Sequence, residues 1–168
     1  ITEPETVEIL EENRAPIKAI DLSPDKSKSG KIVLGNQTSY SVDINEMLSS
    51  PPSIDMSGSG PKVLVIHTHA TEAYAPQGST FYDITASDRN QDITKNVVRM
   101  GSVFCDILNR KGIETLHDTE LHDYPSFNGS YAHSLAAMEN YLKKHPSIQM
   151  IFDIHRDSIV YSDNTKAK

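Results

Sequence analysis

The stretch from Lys62 to Glu72, K-V-L-V-I-H-T-H-A-T-E, constrains the fold of this chain more than any other. Val63–Ile66 is an unbroken run of β-branched and aliphatic residues, the pattern of a strand buried on both faces in a parallel sheet. It breaks off into two histidines, two threonines and a glutamate. A strand that stops in such residues places them at its C-terminal edge, where open α/β sheets hold their ligands. Near the other end of the chain Ile148–Asp157, I-Q-M-I-F-D-I-H-R-D, repeats the design. If the two strands are neighbours, His69 and His155 face one pocket.

The segments between them fit that frame. Ala73–Gln91 has no clear period, and a loop of that length after a strand end is a candidate wall or lid. Asp92–Lys111 is expected to be a helix, with Val97, Gly101, Phe104 and Leu108 in one stripe, Asp92 as N-cap and Gly112 just past its end. Ile113–Leu116 reads as a strand. The resulting β-loop-α-β unit implies parallel pairing through a right-handed crossover. A second helix is expected over Ser130–His145, with Tyr131, Leu135, Met138 and Leu142 at helical spacing and Pro146 closing it. Gln149–His155 is the second buried strand, and a polar tail follows it.

This alternation predicts an α/β fold, a three-layer domain on a mainly parallel sheet, with an N-terminal β addition. Residues 1–61 are an extension of short strands and linker. Val7–Glu12 suits a helical turn or two, Lys31–Leu34 and Ser39–Ile44 suit a hairpin, and Asn45–Ser50 begins a helix. Residues 62–168 carry the chemistry.

Composition narrows the function by exclusion. The net charge is −7, from 23 acidic and 16 basic residues, and no basic stripe is present. Nucleic acid is therefore a poor partner. No apolar run reaches the length of a membrane span. Cys105, the one cysteine, sits in a helical pattern as a core thiol, so any metal must be held by histidine and carboxylate. Walker, dinucleotide-binding and G-x-S-x-G motifs are absent.

His67 and His69 lie two apart and share a sheet face if the strand persists. His69, nearer the end and followed by Thr71 and Glu72, is the better exposed of the two. Asp153 and His155 likewise share a face, and Asp153 or Asp157 is placed to orient the imidazole. Glu72 and Asp92 are the carboxylates within reach in sequence, Asp92 with N-capping as its alternative role. Two histidines and a carboxylate leave an open position on zinc, and a second carboxylate serves as general base. His117 and His122 read as exposed loop residues, His133 as off the apolar stripe, and His145 as a helix-end residue.

I-H-T-H-A-T-E-A-Y (66–74), N-V-V-R-M-G (96–101), H-D (117–118), H-D-Y-P-S-F-N-G-S-Y (122–131) and F-D-I-H-R-D (152–157) occur in this order, with G-N-Q-T-S-Y-S-V-D-I (35–44) as a looser match. Together they resemble the stage II sporulation protein P family of peptidoglycan hydrolases, which act in forespore engulfment. The resemblance implies a fold similar to zinc N-acetylmuramoyl-L-alanine amidases, with amidase and added endopeptidase activity. It implies zinc ligation by His69, Asp92 and His155 and acid/base work by Glu72. The wider amidase group has glutamate where Asp92 stands, so an exchange of roles between Glu72 and Asp92 is open. The resemblance further implies peptidoglycan as substrate and stage II sporulation protein D, a lytic transglycosylase, as partner. It also implies an extracytoplasmic protein, membrane-anchored at full length, between the mother cell and forespore membranes. Such amidases continue beyond the third ligand, whereas only Ser158–Lys168 follows here, so the domain is expected to be truncated at its C-terminus. That shortness motivates the alternative of a catalytically incomplete peptidoglycan-binding or partner-docking module.

Overall fold

The structure is a computed structural model and describes residues 8–19, 38–50, 53–76 and 78–167. Its centre is a parallel sheet of β4 (Thr115–His117), β2 (Val63–Ile66) and β5 (Met150–Asp153), in that order. Val63 pairs with Thr115 on one side and Met150 on the other, so the two strands that lead to His69 and His155 are neighbours. All four residues of β2 are fully buried, each side chain contributing roughly 1.5–3 kcal/mol by leaving water.

Alternation along β2 assigns its two faces. Val63 and Val65 pack with Cys105, Phe104 and Leu108 of α2 (Val97–Arg110). Thr68, in the turn just beyond the strand, meets Ser134 of α3 (Ser130–Lys144), their hydroxyl oxygens 2.7 Å apart. The α/β expectation holds, with a parallel sheet at the centre and α2 packed on it.

A second sheet joins the ends of the chain. β1 (Arg14–Lys18) pairs antiparallel with β3 (Phe81–Asp83) and parallel with β6 (Lys166–Ala167). The aperiodic loop after β2 and the polar tail therefore each supply a strand. α1 (Ile44–Ser49) is capped by Asp43, whose side chain accepts from the Asn45 and Glu46 amides. That cap ends the expectation of a strand through Ser39–Ile44, and Lys31–Leu34 lies outside the described residues.

Three other boundaries and one helix face differ from expectation. α2 starts at Val97, not Asp92, because Asn96 is its N-cap: its side chain accepts from the Val98 amide at 3.0 Å and donates to the Asn90 carbonyl at 2.9 Å. At the other end Ile113 donates to Leu108 O and Gly112, at φ +81°, donates to Asn109 O. This Schellman closure uses Ile113 for the cap, so β4 begins only at Thr115. β5 ends at Asp153, which leaves His155 in the irregular segment beyond it. In α3 the buried residues are Ser130 and Ser134, while Tyr131, Leu135 and Leu142 are exposed. The Thr68–Ser134 contact marks the small polar face as the one turned to the sheet, with the apolar stripe outward.

Candidate functional site

β2 ends at Ile66 and the chain turns through residues 68–71, so the two histidines part company. His67 is fully buried. Its Nδ1 lies 3.1 Å from the Ile154 carbonyl and its Nε2 2.9 Å from Nε2 of His117. A carbonyl only accepts, so Nδ1 of His67 donates and its Nε2 accepts a proton from His117. Burial pushes the pKa of both rings down, in keeping with a pair that shares one proton between the facing nitrogens. His67 is thus a core residue, and His117, expected to be exposed, is its half-buried partner.

His69 stands in different company. Its ring is 5.3 Å from that of His155, at an interplanar angle of 74°. It stacks on Phe127 at 4.6 Å and meets Tyr131 edge-on at 5.2 Å. His69 is 8% exposed, and its Nδ1 is buried with no hydrogen-bond partner among the described residues. His155 has a carboxylate at each nitrogen: Glu72 at 3.7 Å from Nδ1 and Asp153 at 3.1 Å from Nε2. Asp153 is itself fixed by the amide and hydroxyl of Thr68, at 2.9 and 2.6 Å. Burial pushes the Asp153 carboxyl up, but these bonds and His155 outweigh it and hold the group below its ordinary range. Of the two carboxylates that the sequence offered for orienting the His155 ring, Asp153 and Asp157, it is Asp153 that lies against it. Glu72 accepts from the Arg156 amide at 2.9 Å, and the charges of Arg156 and Glu72 both act on Tyr74.

Of the four site residues named from sequence, His155 lies beside both His69 and Glu72. Asp92 is engaged elsewhere. Its carboxylate accepts from the Thr94 hydroxyl at 2.6 Å and amide at 2.9 Å, in a local turn that lowers its pKa.

The loop from His122 to Gly129 is held against this site by Asp123, which sequence reasoning passed over. Its buried carboxylate accepts from the Thr71 amide and hydroxyl and from Arg89, the last at 2.6 Å. The Arg89 guanidinium also lies over the Phe127 ring, 4.6 Å from its centre. No periodicity marks such a clamp. Its one sequence signal was the H-D-Y-P-S-F-N-G-S-Y motif itself. Asp123→Ala is expected to lower stability by about 1–2 kcal/mol, because it removes charge-assisted bonds while leaving Thr71 N–H buried. Thermal denaturation measures this, and an unchanged midpoint would show that the loop is held by other contacts.

His122, expected at the surface, is buried, with Nε2 3.1 Å from Asp118. Asp118, Glu120 and His122 bring ligand-type atoms within 4.8 Å of one another, and are the one such trio among the described residues. Asp118 already accepts from His122 and from the Glu120 amide. His133 lies with its Nδ1 3.0 Å from the His122 carbonyl, and His145 forms the C-cap of α3. No described helix is long and apolar enough to cross a membrane.

Comparison with known proteins gives the site its family. Residues 2–168 match the family model described as stage II sporulation protein P. The chain is similar to "Stage II sporulation protein P" of Bacillus subtilis (strain 168), 30% identical over 122 residues, or 68% of this chain and 29% of that protein. It therefore spans less than a third of the curated relative's length. No solved structure matches it. With a family match over nearly its whole length, this chain belongs to the stage II sporulation protein P family.

Proposed function

We propose that this chain carries the zinc-dependent hydrolytic site of a peptidoglycan hydrolase. The reaction is that of an N-acetylmuramoyl-L-alanine amidase, with endopeptidase activity on the stem peptides, in a fold related to zinc amidases. Its place of work is forespore engulfment, at the outer face of the membrane that anchors the full-length protein. Stage II sporulation protein D, cutting the glycan, is the proposed partner.

The observation that carries this reading is the His69–His155 pair. An imidazole centre lies roughly 3.2 Å from a zinc that it ligates, and two such rings at a tetrahedral angle stand about 5.2 Å apart. The rings here are 5.3 Å apart, and His69 Nδ1 is a buried polar atom without a partner. An unpaired buried nitrogen costs free energy unless something binds it. Two imidazoles and a carboxylate are also donors that zinc takes.

His69 and His155 would hold the ion. Glu72 is the carboxylate that stands with them, whereas Asp92, the third ligand by resemblance, is occupied by Thr94. Zinc bound there supplies a Lewis acid that polarises the scissile carbonyl and acidifies the attacking water. Glu72 takes the proton of that water at a carboxylate oxygen and returns it to the departing L-alanine amine. The Arg156 amide fixes one Glu72 oxygen during the exchange, and Asp153 keeps the His155 ring in place. The loop that follows Tyr74 borders the glycan or peptide.

Glu72→Gln keeps the shape and an acceptor for Arg156 but cannot carry a proton. It is expected to lower kcat for muropeptide release by about 10²–10⁴-fold while bound zinc, measured by atomic emission, remains stoichiometric. Loss of zinc with activity would make Glu72 a ligand. Undiminished turnover would remove it from the chemistry.

A further inference from the structure

Tyr131 is the second residue of α3, 67% exposed, with its ring 5.2 Å from that of His69. Its chain neighbours hold it rigidly, because Ser130 is 2% exposed and Ser134, one turn on, is fully buried. The adjacent aromatic, Phe127, is already engaged by the His69 ring and the Arg89 guanidinium. Arg89 in turn is committed to Asp123. The surface that Tyr131 presents beside His69 is therefore a flat, uncharged ring with a phenol at its tip. Following contacts from it leads through His69 and His155 to Glu72, whose charge acts on Tyr74, a second aromatic, 46% exposed.

We propose that Tyr131 is a carbohydrate-stacking subsite, which binds the N-acetylhexosamine next to the bond that the His69–Glu72–His155 site cuts. The proposal rests on the hydrolase reading and names the half of the substrate that Tyr131 takes. One face of a pyranose presents C–H groups made positive by their neighbouring oxygens, and these sit on the negative face of an aromatic ring while the hydroxyls stay in water. A stem peptide presents carboxylates instead. In a chain of net charge −7, beside Glu72 and Asp153, an uncharged ring favours the sugar. A platform on an anchored helix also loses little freedom on binding.

The chain contains no tryptophan, so Tyr131→Trp puts a single emitter at the subsite. This variant, stripped of metal by EDTA, is titrated with β-1,4-linked N-acetylglucosamine tetramer and separately with sugar-free stem peptide. A saturable emission change with the tetramer and none with the peptide is expected. No change with the tetramer, or the same change with both, overturns the proposal. In the zinc-loaded protein, Tyr131→Ala is expected to raise KM for glycan-bearing substrate about tenfold, the loss of one stacking contact, with kcat moved far less. Tyr131→Phe should restore KM to within about twofold of the native value. If Tyr131→Ala instead lowers kcat and zinc content together, the ring serves His69 and the subsite is wrong. Because the titration needs neither zinc nor turnover, an emission response in a protein that hydrolyses nothing would sink the hydrolase reading and leave the subsite standing.

Discussion

Replacing His69 or His155 by alanine is expected to abolish stoichiometric zinc and, with it, muropeptide release. Losing a group that merely orients a ligand costs roughly 10–100-fold in metal affinity. Losing one of two imidazoles that face each other at 5.3 Å should cost more than that. The two variants differ in what else they disturb. His69 is nearly buried, stacked on Phe127 and met by Tyr131, so alanine there opens a cavity and loosens the aromatic loop. His155 is one-third exposed and lies beyond the end of β5, so its removal is felt chiefly through Glu72 and Asp153. Both variants should lose zinc, with His69→Ala also melting several degrees earlier. Full activity in either variant would remove the zinc assignment. A native chain that binds sacculi but holds little zinc and cuts nothing would support the binding-module alternative. Removing metal from the native chain with a chelator should mimic His155→Ala, and added zinc should restore only the native protein.

The frame of this fold was legible because β2 is buried on both faces and carries only aliphatic residues, which leaves few roles for Val63–Ile66 other than a central parallel strand. The adjacency of the second strand entered the sequence reading only as a condition, and the observed register, which pairs Ile66 with Asp153, meets it. What failed to read out were features set by single side chains rather than by period. Asn96 displaces Asp92 as helix cap through two hydrogen bonds, and nothing in Q-D-I-T-K-N ranks one residue over the other. Period two placed His67 and His69 on one face, yet the strand stops at Ile66 and that rule stops with it. The face that α3 turns to the sheet is marked by a contact, Thr68 to Ser134, between residues 66 positions apart. Asp123 reaches Thr71 and Arg89 across similar gaps. Such pairings are tertiary, and a local pattern cannot contain them.

Gly101 offers the sharpest test of the buried half of this arrangement. It lies within α2, where glycine costs about 1 kcal/mol relative to alanine, so alanine would ordinarily stabilise the helix. The expected result is the reverse. A Cβ at this position would fall 2.3 Å from Nε2 of His67 and 2.6 Å from Nε2 of His117, far inside any real contact. The atoms in its way belong to two rings, one fully buried and one half-buried, that hydrogen-bond each other, not to the free ends of flexible chains. Either α2 lifts off the sheet, opening the packing of Cys105 against Val63 and Val65, or the His67–His117 bond breaks. Overpacking of this kind costs about 1–3 kcal/mol, and the broken bond strands a buried nitrogen at a similar cost. Gly101→Ala should therefore lose about 2 kcal/mol net, and Gly101→Val more. At roughly 2–4 °C per kcal/mol for a chain of this size, the alanine variant should melt some 4–8 °C earlier. The partners can be checked in a double-mutant cycle. His117→Ala makes room beside residue 101, so Gly101→Ala should cost about 1 kcal/mol less in that background than in the native one. Additive losses, or a Gly101→Ala protein as stable as the native chain, would mean that α2 does not rest on the two imidazoles.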